Sequence, residues 1–199
     1  ADFYQSCDDI TGLPNINAAP SYVFGTIITG KKNNAIKLTG ISNGIFFTVP
    51  TTLCRNNLTA CNNGVTFAFW LKISNNTGWD SAVTQFIPFL RTNCLSLKYL
   101  NGILRVALEN HATGIGKVQN MTMRFNEWVH YGITWDNPSN VMTVYENGAL
   151  HGTGGDVQGT FPNALYYFQG IYLYDFAVDE YYTFEKVMDT QNILLLASV

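Results

Sequence analysis

The sequence predicts an all-β protein, an antiparallel β-sandwich of two sheets with one short helix near the C-terminus. In several segments apolar residues alternate with polar ones, which is the period of a strand with one face in a core. Asparagine–glycine pairs separate these segments at short intervals, as in hairpins. The 199 residues, 47% of them hydrophobic, suffice for one core and show no break in composition, so we predict a single domain over residues 1–199.

The clearest strand runs from Thr66 to Ile73, and the next from Trp128 to Trp135. In each strand one set of alternate side chains is apolar and is predicted to enter the core. These residues are Phe67, Phe69, Leu71 and Ile73, followed by Val129, Tyr131, Ile133 and Trp135. Trp70 and His130 fall on the opposite faces, and for His130 a packing or surface role is expected rather than catalysis. The other predicted strands are Tyr22 to Ile28, Ala35 to Leu38, Gly44 to Val49, Gln85 to Arg91, Leu95 to Tyr99, Ile103 to Leu108, Val118 to Met123, Val141 to Glu146 and Gly170 to Phe176.

Polar turns predict a three-strand meander from Glu127 to about Gly152. The glycine-rich stretch from Gly152 to Gly159 indicates a flexible loop at the rim. Near the end, Thr183 precedes helix-forming residues, which predicts a helix from about Thr183 and then a final strand through Leu194 to Leu196.

Charge and hydropathy exclude several classes of protein. Charged residues make up 13% of the chain, the net charge is −3 and the basic residues are scattered, so nucleic acid is not expected as a partner. No apolar run approaches the roughly 20 residues of a membrane-spanning helix. The first residues lack the basic and apolar regions of a signal peptide, so we expect a mature chain whose targeting segment has been removed.

The four cysteines lack the spacing of a zinc site and are even in number, which indicates two disulfides. Four cysteines allow three connectivities. Cys54 and Cys61 bracket a short polar loop, which favours pairing them and leaves Cys7 to tie the N-terminal segment to Cys94. The alternative is four free thiols in a cytosolic protein, but disulfides persist mainly in oxidising compartments.

Three asparagines stand in acceptor sequons for N-glycosylation: Asn57, Asn75 and Asn120. Each falls in a predicted loop or at a strand edge. Together with the cysteines they favour a secreted, extracellular protein.

The chain resembles the laminin-G-like jellyroll domains of the concanavalin-A-like superfamily, which also holds pentraxins and legume lectins. The likeness covers roughly residues 35–193, behind an N-terminal segment 1–34, and it rests on four stretches. These are the strand pair from Ala35 to Gly40 and from Gly44 to Pro50, the core strand from Val65 to Lys72, the segment from Glu127 to Gly148, and the closing segment from Gly170 to Ile193.

The resemblance implies an extracellular module that engages glycans or proteins, often with calcium at one rim. Many relatives carry acidic residues between the first two matched strands, where this chain has Ile41, Ser42 and Asn43. A calcium site of that kind is therefore in doubt.

Two other acidic or amide groupings could supply oxygen ligands to calcium, which is the one candidate cofactor. One is the turn with Asp136, Asn137 and Asn140; the other is Asp175, Asp179 and Glu180. Both have ordinary structural explanations, because Asp and Asn form turns and acidic residues favour helix N-termini.

A glycosidase needs two carboxylates that flank a sugar bond, and on one strand this requires acidic residues at alternate positions. No strand has them, and adjacent pairs such as Asp179 and Glu180 are expected to face opposite ways. The three histidines are far apart in sequence and no serine lies in a GxSxG elbow, so we expect no catalytic residues.

Sugar binding uses flat aromatic faces, and the aromatic residues outside the predicted core faces include Trp79, Tyr166, Tyr167, Tyr181 and Tyr182. Of these, Trp79, Tyr166 and Tyr167 are the predicted ligand-binding residues. A tryptophan in a loop can equally close the end of a sandwich. The leading hypothesis is a recognition or adhesion module, lectin-like and non-catalytic, whose partner is a glycan or an extracellular protein. The alternative is a structural subunit of an extracellular filament, coat or matrix, with a homo-oligomer or larger assembly as its form.

Overall fold

The computed structural model describes residues 20–32, 34–39, 44–47, 61–74, 87–91, 95–110, 115–158, 167–169 and 175–198. In chain order these residues form β1 (Pro20–Phe24), β2 (Thr26–Thr29), β3 (Asn34–Thr39), β4 (Gly44–Phe47), β5 (Val65–Ile73), β6 (Ile87–Arg91), β7 (Leu95–Leu100), β8 (Ile103–Asn110), β9 (Ile115–Thr122), β10 (Trp128–Asp136), β11 (Val141–Glu146), β12 (Ala149–Thr153), β13 (Gly155–Gln158), β14 (Tyr167–Gln169), β15 (Asp175–Phe184) and α1 (Thr190–Ser198). The predicted class, all-β with one short helix near the C-terminus, is confirmed.

Two antiparallel sheets form the sandwich. The larger has seven strands in the order β12-β11-β10-β5-β15-β3-β2, and the smaller has five in the order β13-β9-β8-β7-β6. A third group, β1-β4-β14, lies beside β6 through β14. β12 and β13 follow one another in sequence but belong to different sheets, so the chain crosses between the sheets at that edge.

The core lies between the two large sheets, where the alternating pattern places it. In β5, Phe67, Phe69 and Ile73 are at most 2% exposed, and Phe89 of β6 meets Phe176 of β15 edge to face at 5.5 Å. The largest fully buried side chains are Tyr131, Phe67, Phe69, Phe89, Phe176, Leu38, Leu71 and Ile73. Burial of such aromatic and aliphatic groups is the main favourable contribution to folding.

The predicted meander is confirmed as β10, β11 and β12, and its second turn explains the asparagine–glycine signal. Asn147 and Gly148 have φ angles of 52° and 79°. Both angles are in the left-handed region that Asn and Gly adopt most readily. The stretch after Gly152 was wrongly predicted to be a loop, because Gly155–Gln158 pairs with β9 as strand β13.

The C-terminal segment differs from its prediction. Thr183 and Phe184 complete β15, paired with Phe67 and Thr66, instead of starting a helix. The helix begins later, at Thr190, because the Asp189 side chain accepts a hydrogen bond from Asn192 N at 2.8 Å and so caps it. The predicted final strand from Leu194 to Leu196 is therefore wrong, since these residues are helical.

Helix α1 packs on the outer face of the seven-stranded sheet, the face turned away from the five-stranded sheet. There Ile193, fully buried, joins Tyr145, Phe184 and Met188 in a second apolar cluster. Gly132 makes room for the helix, because a Cβ atom there would lie 2.7 Å from Ile193 Cγ2. Among the residues that the structure describes, no helix has the length and apolar character needed to cross a bilayer.

Candidate binding surface on the large sheet

A cluster of aromatic and ionisable side chains occupies the part of the outer face beside α1. Trp70, His130 and Asp179 lie at paired positions on the neighbouring strands β5, β10 and β15. The rings of Trp70 and His130 meet edge to face, 5.3 Å apart. Lys31, Glu180 and Tyr182 are described in the next paragraphs and belong to the same group. The six residues are called the outer cluster: Lys31, Trp70, His130, Asp179, Glu180 and Tyr182.

The turn between β2 and β3 is tied down over this cluster. The fully buried Asp179 carboxylate accepts hydrogen bonds from Lys31 N at 2.8 Å and Lys32 N at 3.1 Å. Lys31 Nζ lies 4.8 Å from the centre of the Trp70 ring, within the range of a cation–π interaction. Gly30 allows this approach, because a Cβ atom there would lie 2.3 Å from Asp179 Oδ2. The turn thus covers Trp70, which is 5% exposed.

A β-bulge places a second carboxylate on the same face. The pairing of β15 with β5 slips by one residue between Asp179 and Tyr182, and Glu180 takes a φ of 49°. Glu180 accepts a hydrogen bond from the Tyr182 hydroxyl, and Tyr182 shares the face of Asp179. The expectation that these adjacent acidic residues face opposite ways is wrong at this position, since the bulge resets the alternation.

His130 is held as a buried neutral group. It is 1% exposed, and burial lowers its pKa from 6.5 to about 4. Its backbone N–H donates to Asn147 Oδ1 at 3.0 Å, and its carbonyl accepts from Asn147 N at 2.8 Å. His130 Nδ1 and Trp70 Nε1 are buried and make no hydrogen bond. His130 is buried against Trp70, in agreement with the packing role expected for it.

Protonation of His130 is expected to make the free energy of unfolding depend on pH. Between pH 6.5 and about 4 the unfolded chain binds a proton that the folded chain does not. The stability that His130 contributes is therefore complete above pH 6.5 and falls by up to about 3 kcal/mol as the pH approaches 4. Urea unfolding of the wild type and His130→Gln at neutral pH and near pH 4 would measure this loss.

His151→Gln, which removes an exposed histidine, is the control; because it leaves His130 in place, this variant should still lose stability as the pH approaches 4. Parallel pH profiles for the wild type and His130→Gln would contradict the prediction.

The first predicted set of calcium ligands folds as the turn between β10 and β11. The Asp136 carboxylate accepts a hydrogen bond from the Ser139 hydroxyl at 2.5 Å, and Asn140 N donates to Asn137 O at 3.2 Å. Asn140 has a φ of 55°. These contacts are the ones that the turn itself requires.

The second set is spread along β15 and each carboxylate has its own partners. Asp175 pairs with Lys37 at 2.8 Å; burial acts to raise its pKa, but hydrogen bonds from Lys37 and Thr39 outweigh burial and lower it. Asp179 and Glu180 belong to the outer cluster rather than to a helix N-terminus. Within the described residues no three His, Cys, Asp or Glu side chains converge as a metal site. Calcium binding by either set stays a prediction.

Other predicted site residues fall partly outside the described residues. Trp79 and Tyr166 lie outside them, and Tyr167 is described only as backbone in β14. The prediction that Tyr181 lies outside the core is wrong, because it packs in the core against Phe69. Cys61 is buried and disulfide-bonded, but Cys7, Cys54 and Cys94 lie outside, so the pairing of Cys54 with Cys61 and of Cys7 with Cys94 stays a prediction.

The three sequons also fall partly outside the described residues. Asn57 and Asn75 lie outside the described residues, whereas Asn120 is exposed on β9 and accepts a hydrogen bond from Arg105 Nε at 2.9 Å. The bond uses Asn120 Oδ1 and does not involve the amide nitrogen, which is the atom that a glycan modifies. Glycosylation of the three sites stays a prediction.

Sequence reasoning missed the outer cluster as a unit. It placed Trp70 and His130 on the non-core faces of their strands, but strand register alone brings them together with Asp179 and the β2–β3 turn. The one available signal was that two aromatic residues occupied positions where an exposed sheet face would have polar ones.

Comparison with known proteins identifies the architecture. A family model described as the concanavalin A-like lectin/glucanases superfamily matches residues 47–193. A comparison with curated proteins gave no match.

Solved structures with the same fold include binding domains of botulinum neurotoxins. The binding domain of neurotoxin DC in complex with rat synaptotagmin II aligns with a TM-score of 0.64 at 17% identity, covering 98% of this chain and 50% of that one. The same domain in complex with SialylT aligns at 0.58 and 18%, covering 89% and 45%. A structure of neurotoxin type C that reports interaction with two ganglioside molecules aligns at 0.61 and 15%, covering 98% and 50%. The chain therefore spans about half the length of these solved chains, and at such identities the likeness concerns the fold.

Proposed function

The chain belongs to the concanavalin A-like lectin/glucanases superfamily, and from this premise we propose that it is an extracellular recognition module that binds a glycan or protein ligand without catalysis. The fold alone names no ligand, because one architecture carries many functions. The proposal therefore depends on a surface of this chain, the outer cluster and its rim.

The observation that carries the proposal is the composition of that rim. Lys31, Lys32 and Asn147 are exposed and Tyr182 is half-buried, around a closed centre of Trp70 and His130. The cationic and amide groups can donate hydrogen bonds to hydroxyl, carboxylate or carbonyl oxygens of a ligand, whereas the Tyr182 hydroxyl already donates to Glu180. Asp179 fixes the backbone of the β2–β3 turn, so Lys31 and Lys32 are held in place before a ligand arrives, which lowers the entropy lost on binding.

The solved relatives give a second line of support. The binding domain of neurotoxin DC is in complex with rat synaptotagmin II in one structure and with SialylT in another, and cell entry of neurotoxin type C depends upon interaction with two ganglioside molecules. Because this chain covers about half of each, the ligands of those proteins do not identify the ligand here.

We also propose that the chain is not catalytic. This part of the proposal is supported by the two carboxylates of the outer cluster, Asp179 and Glu180. Asp179 is fully buried and accepts three backbone hydrogen bonds, from Lys31, Lys32 and Glu180. Glu180 is 7% exposed and bonded to Tyr182. Carboxylates committed in this way are poorly placed to act as the acid and nucleophile of glycoside hydrolysis, which must reach the sugar.

Secretion is likewise proposed, supported by the even cysteine count, the disulfide-bonded Cys61 and the exposed sequon at Asn120.

Replacing Lys31 by alanine is expected to weaken glycan binding by about tenfold, the loss typical of a central contact residue. The measurement is a glycan array probed in calcium and again in chelator, followed by titration of the best glycan. Arg105→Ala removes the same charge from the outer face of the other sheet and should leave binding unchanged. Equal losses in both variants would locate the ligand elsewhere or show a general charge effect.

A second candidate function is a structural subunit of an extracellular filament, coat or matrix. Exposed leucines on α1 and β12 favour it, because apolar groups on a surface support association. A blank array together with a large particle that persists in chelator would favour this function over recognition.

A further inference from the structure

An asparagine followed by a glycine can modify its own backbone, because the glycine nitrogen can attack the asparagine side-chain carbon Cγ. Glycine has no Cβ atom to obstruct this approach. The chain contains such pairs, and those that lie wholly within the described residues are Asn63–Gly64, Asn101–Gly102 and Asn147–Gly148. Each of these asparagines is exposed, so exposure of the side chain does not distinguish them.

The surroundings of the glycine do distinguish the pairs. Gly64 and Gly148 are buried, whereas Gly102 is half-buried. A Cβ atom at Gly64 would clash with the Trp135 backbone oxygen, and one at Gly148 would lie 2.6 Å from Leu194 Cδ1. At Gly102 a Cβ atom would meet nothing within 4 Å. The backbone therefore has room to rotate towards the attack geometry at Gly102, whereas it is packed in at the other two glycines.

Hydrogen bonds restrain the reacting groups at the same two pairs. Gly64 N donates to Cys61 O at 2.8 Å, so the attacking nitrogen is engaged. Asn147 Oδ1 accepts from His130 N at 3.0 Å, which fixes the side chain that would be attacked. At the remaining pair Met123 N donates to Gly102 O at 2.8 Å, a bond that uses neither the Gly102 nitrogen nor the Asn101 side chain.

We propose that Asn101 is a site of spontaneous deamidation in the folded chain and that the fold protects Asn63 and Asn147. The Gly102 nitrogen gives its proton to water and bonds to Asn101 Cγ. The bond from Cγ to the amide nitrogen breaks, and this nitrogen takes up a proton and leaves as ammonia. Water then opens the succinimide ring at either carbonyl and yields aspartate or isoaspartate. Water is the co-reactant, and nothing is oxidised or reduced.

The modification would disturb the turn between β7 and β8. Asn101 and Gly102, with φ angles of 47° and 81°, connect the paired residues Leu100 and Ile103. Isoaspartate adds one carbon atom to the backbone of this turn, and the length of a hairpin turn fixes the register of its strands. We therefore expect the bond from Met123 N to Gly102 O to weaken and amide exchange at Met123 to accelerate in the isoaspartate form.

Incubation of the purified chain at mildly alkaline pH in heavy-oxygen water, followed by peptide mapping with mass spectrometry, tests the assignment. The label enters only at residues that are hydrolysed during the incubation. Asn101 should deamidate at least ~10-fold faster than Asn63 or Asn147, which corresponds to about 1.4 kcal/mol of activation free energy. In concentrated urea, where the fold is lost, the rates of the three asparagines should become similar, because each is followed by glycine.

Leu194→Ala is the matched variant, because it uncovers Gly148 and lies on α1, away from the β7–β8 turn. It should raise the rate at Asn147 and leave the rate at Asn101 unchanged. Equal rates in the folded chain, faster reaction at Asn63 or Asn147, or a preference for Asn101 that persists in urea would each overturn the proposal. An unchanged rate at Asn147 in Leu194→Ala would do the same for protection by packing. The β7–β8 turn belongs to the five-stranded sheet, so none of these outcomes depends on ligand binding at the outer cluster.

Discussion

Gly64→Ala is expected to lower the free energy of unfolding by about 3 to 4 kcal/mol, the largest effect expected of one added methyl group at a glycine that the structure describes. Gly64 has a φ of 76°, a conformation that costs an L-residue about 1–2 kcal/mol. A Cβ atom there would also lie 2.2 Å from the backbone oxygen of Trp135 and 2.4 Å from Val187 Cγ2. Because backbone cannot move aside cheaply, the ends of β5 and β10 would have to separate.

Gly102→Ala separates the two causes. Gly102 has a φ of 81°, but a Cβ atom there would meet nothing within 4 Å. Its substitution should therefore cost only the backbone strain, about 1–2 kcal/mol. Urea unfolding of both variants, analysed with a common m-value, measures the difference. Similar losses in the two would mean that the close approach at Gly64 relaxes without cost.

Asp179→Ala is expected to cost about 3 kcal/mol of stability, because each partly buried amide that loses its acceptor costs about 1–3 kcal/mol. Asp179 accepts from Lys31 N, Lys32 N and Glu180 N, so it stabilises both the β2–β3 turn and the bulge in β15. Asp179→Asn keeps one acceptor oxygen and should have a smaller effect. Amide hydrogen exchange should accelerate at Lys31 and Lys32 before it does so in β5.

Asp136→Ala is the control for loss of a carboxylate. Asp136 accepts one hydrogen bond, from Ser139 in an exposed turn, and its removal should cost less than about 1 kcal/mol. If Asp136→Ala and Asp179→Ala destabilised the chain equally, or if exchange at Lys31 were unchanged, Asp179 would not be the anchor of the turn.

The local pattern of the chain was enough to predict the faces of its central strands. The residues predicted to enter the core from Thr66 to Ile73 and from Trp128 to Trp135 do so, because one large core selects apolar side chains at every second position. Asn147 and Gly148 likewise identified their turn, since few other residues adopt positive φ without strain.

The C-terminal helix shows where local pattern was insufficient. Thr183 is of a residue type that caps helices, but the structure uses Asp189 as the cap instead. Residues 183–184 form a strand because Thr183 and Phe184 continue the pairing of β15 with β5. The Thr66 hydroxyl also contributes. That hydroxyl donates to Lys186 O at 2.7 Å and accepts from Met188 N at 3.0 Å, which holds the segment before the helix.

The sequence by itself determined the fold class, the main strand faces and the turns, because these depend on residues close together in the chain and on the volume of one core. Only the tertiary structure decided the outer cluster. Trp70, His130 and Asp179 come from separate strands that meet through register, Lys31 comes from the β2–β3 turn, and the bulge at Glu180 reverses the facing that alternation predicts. Contacts between strands distant in sequence depend on how the sheets twist and pair, and the local sequence does not specify that arrangement.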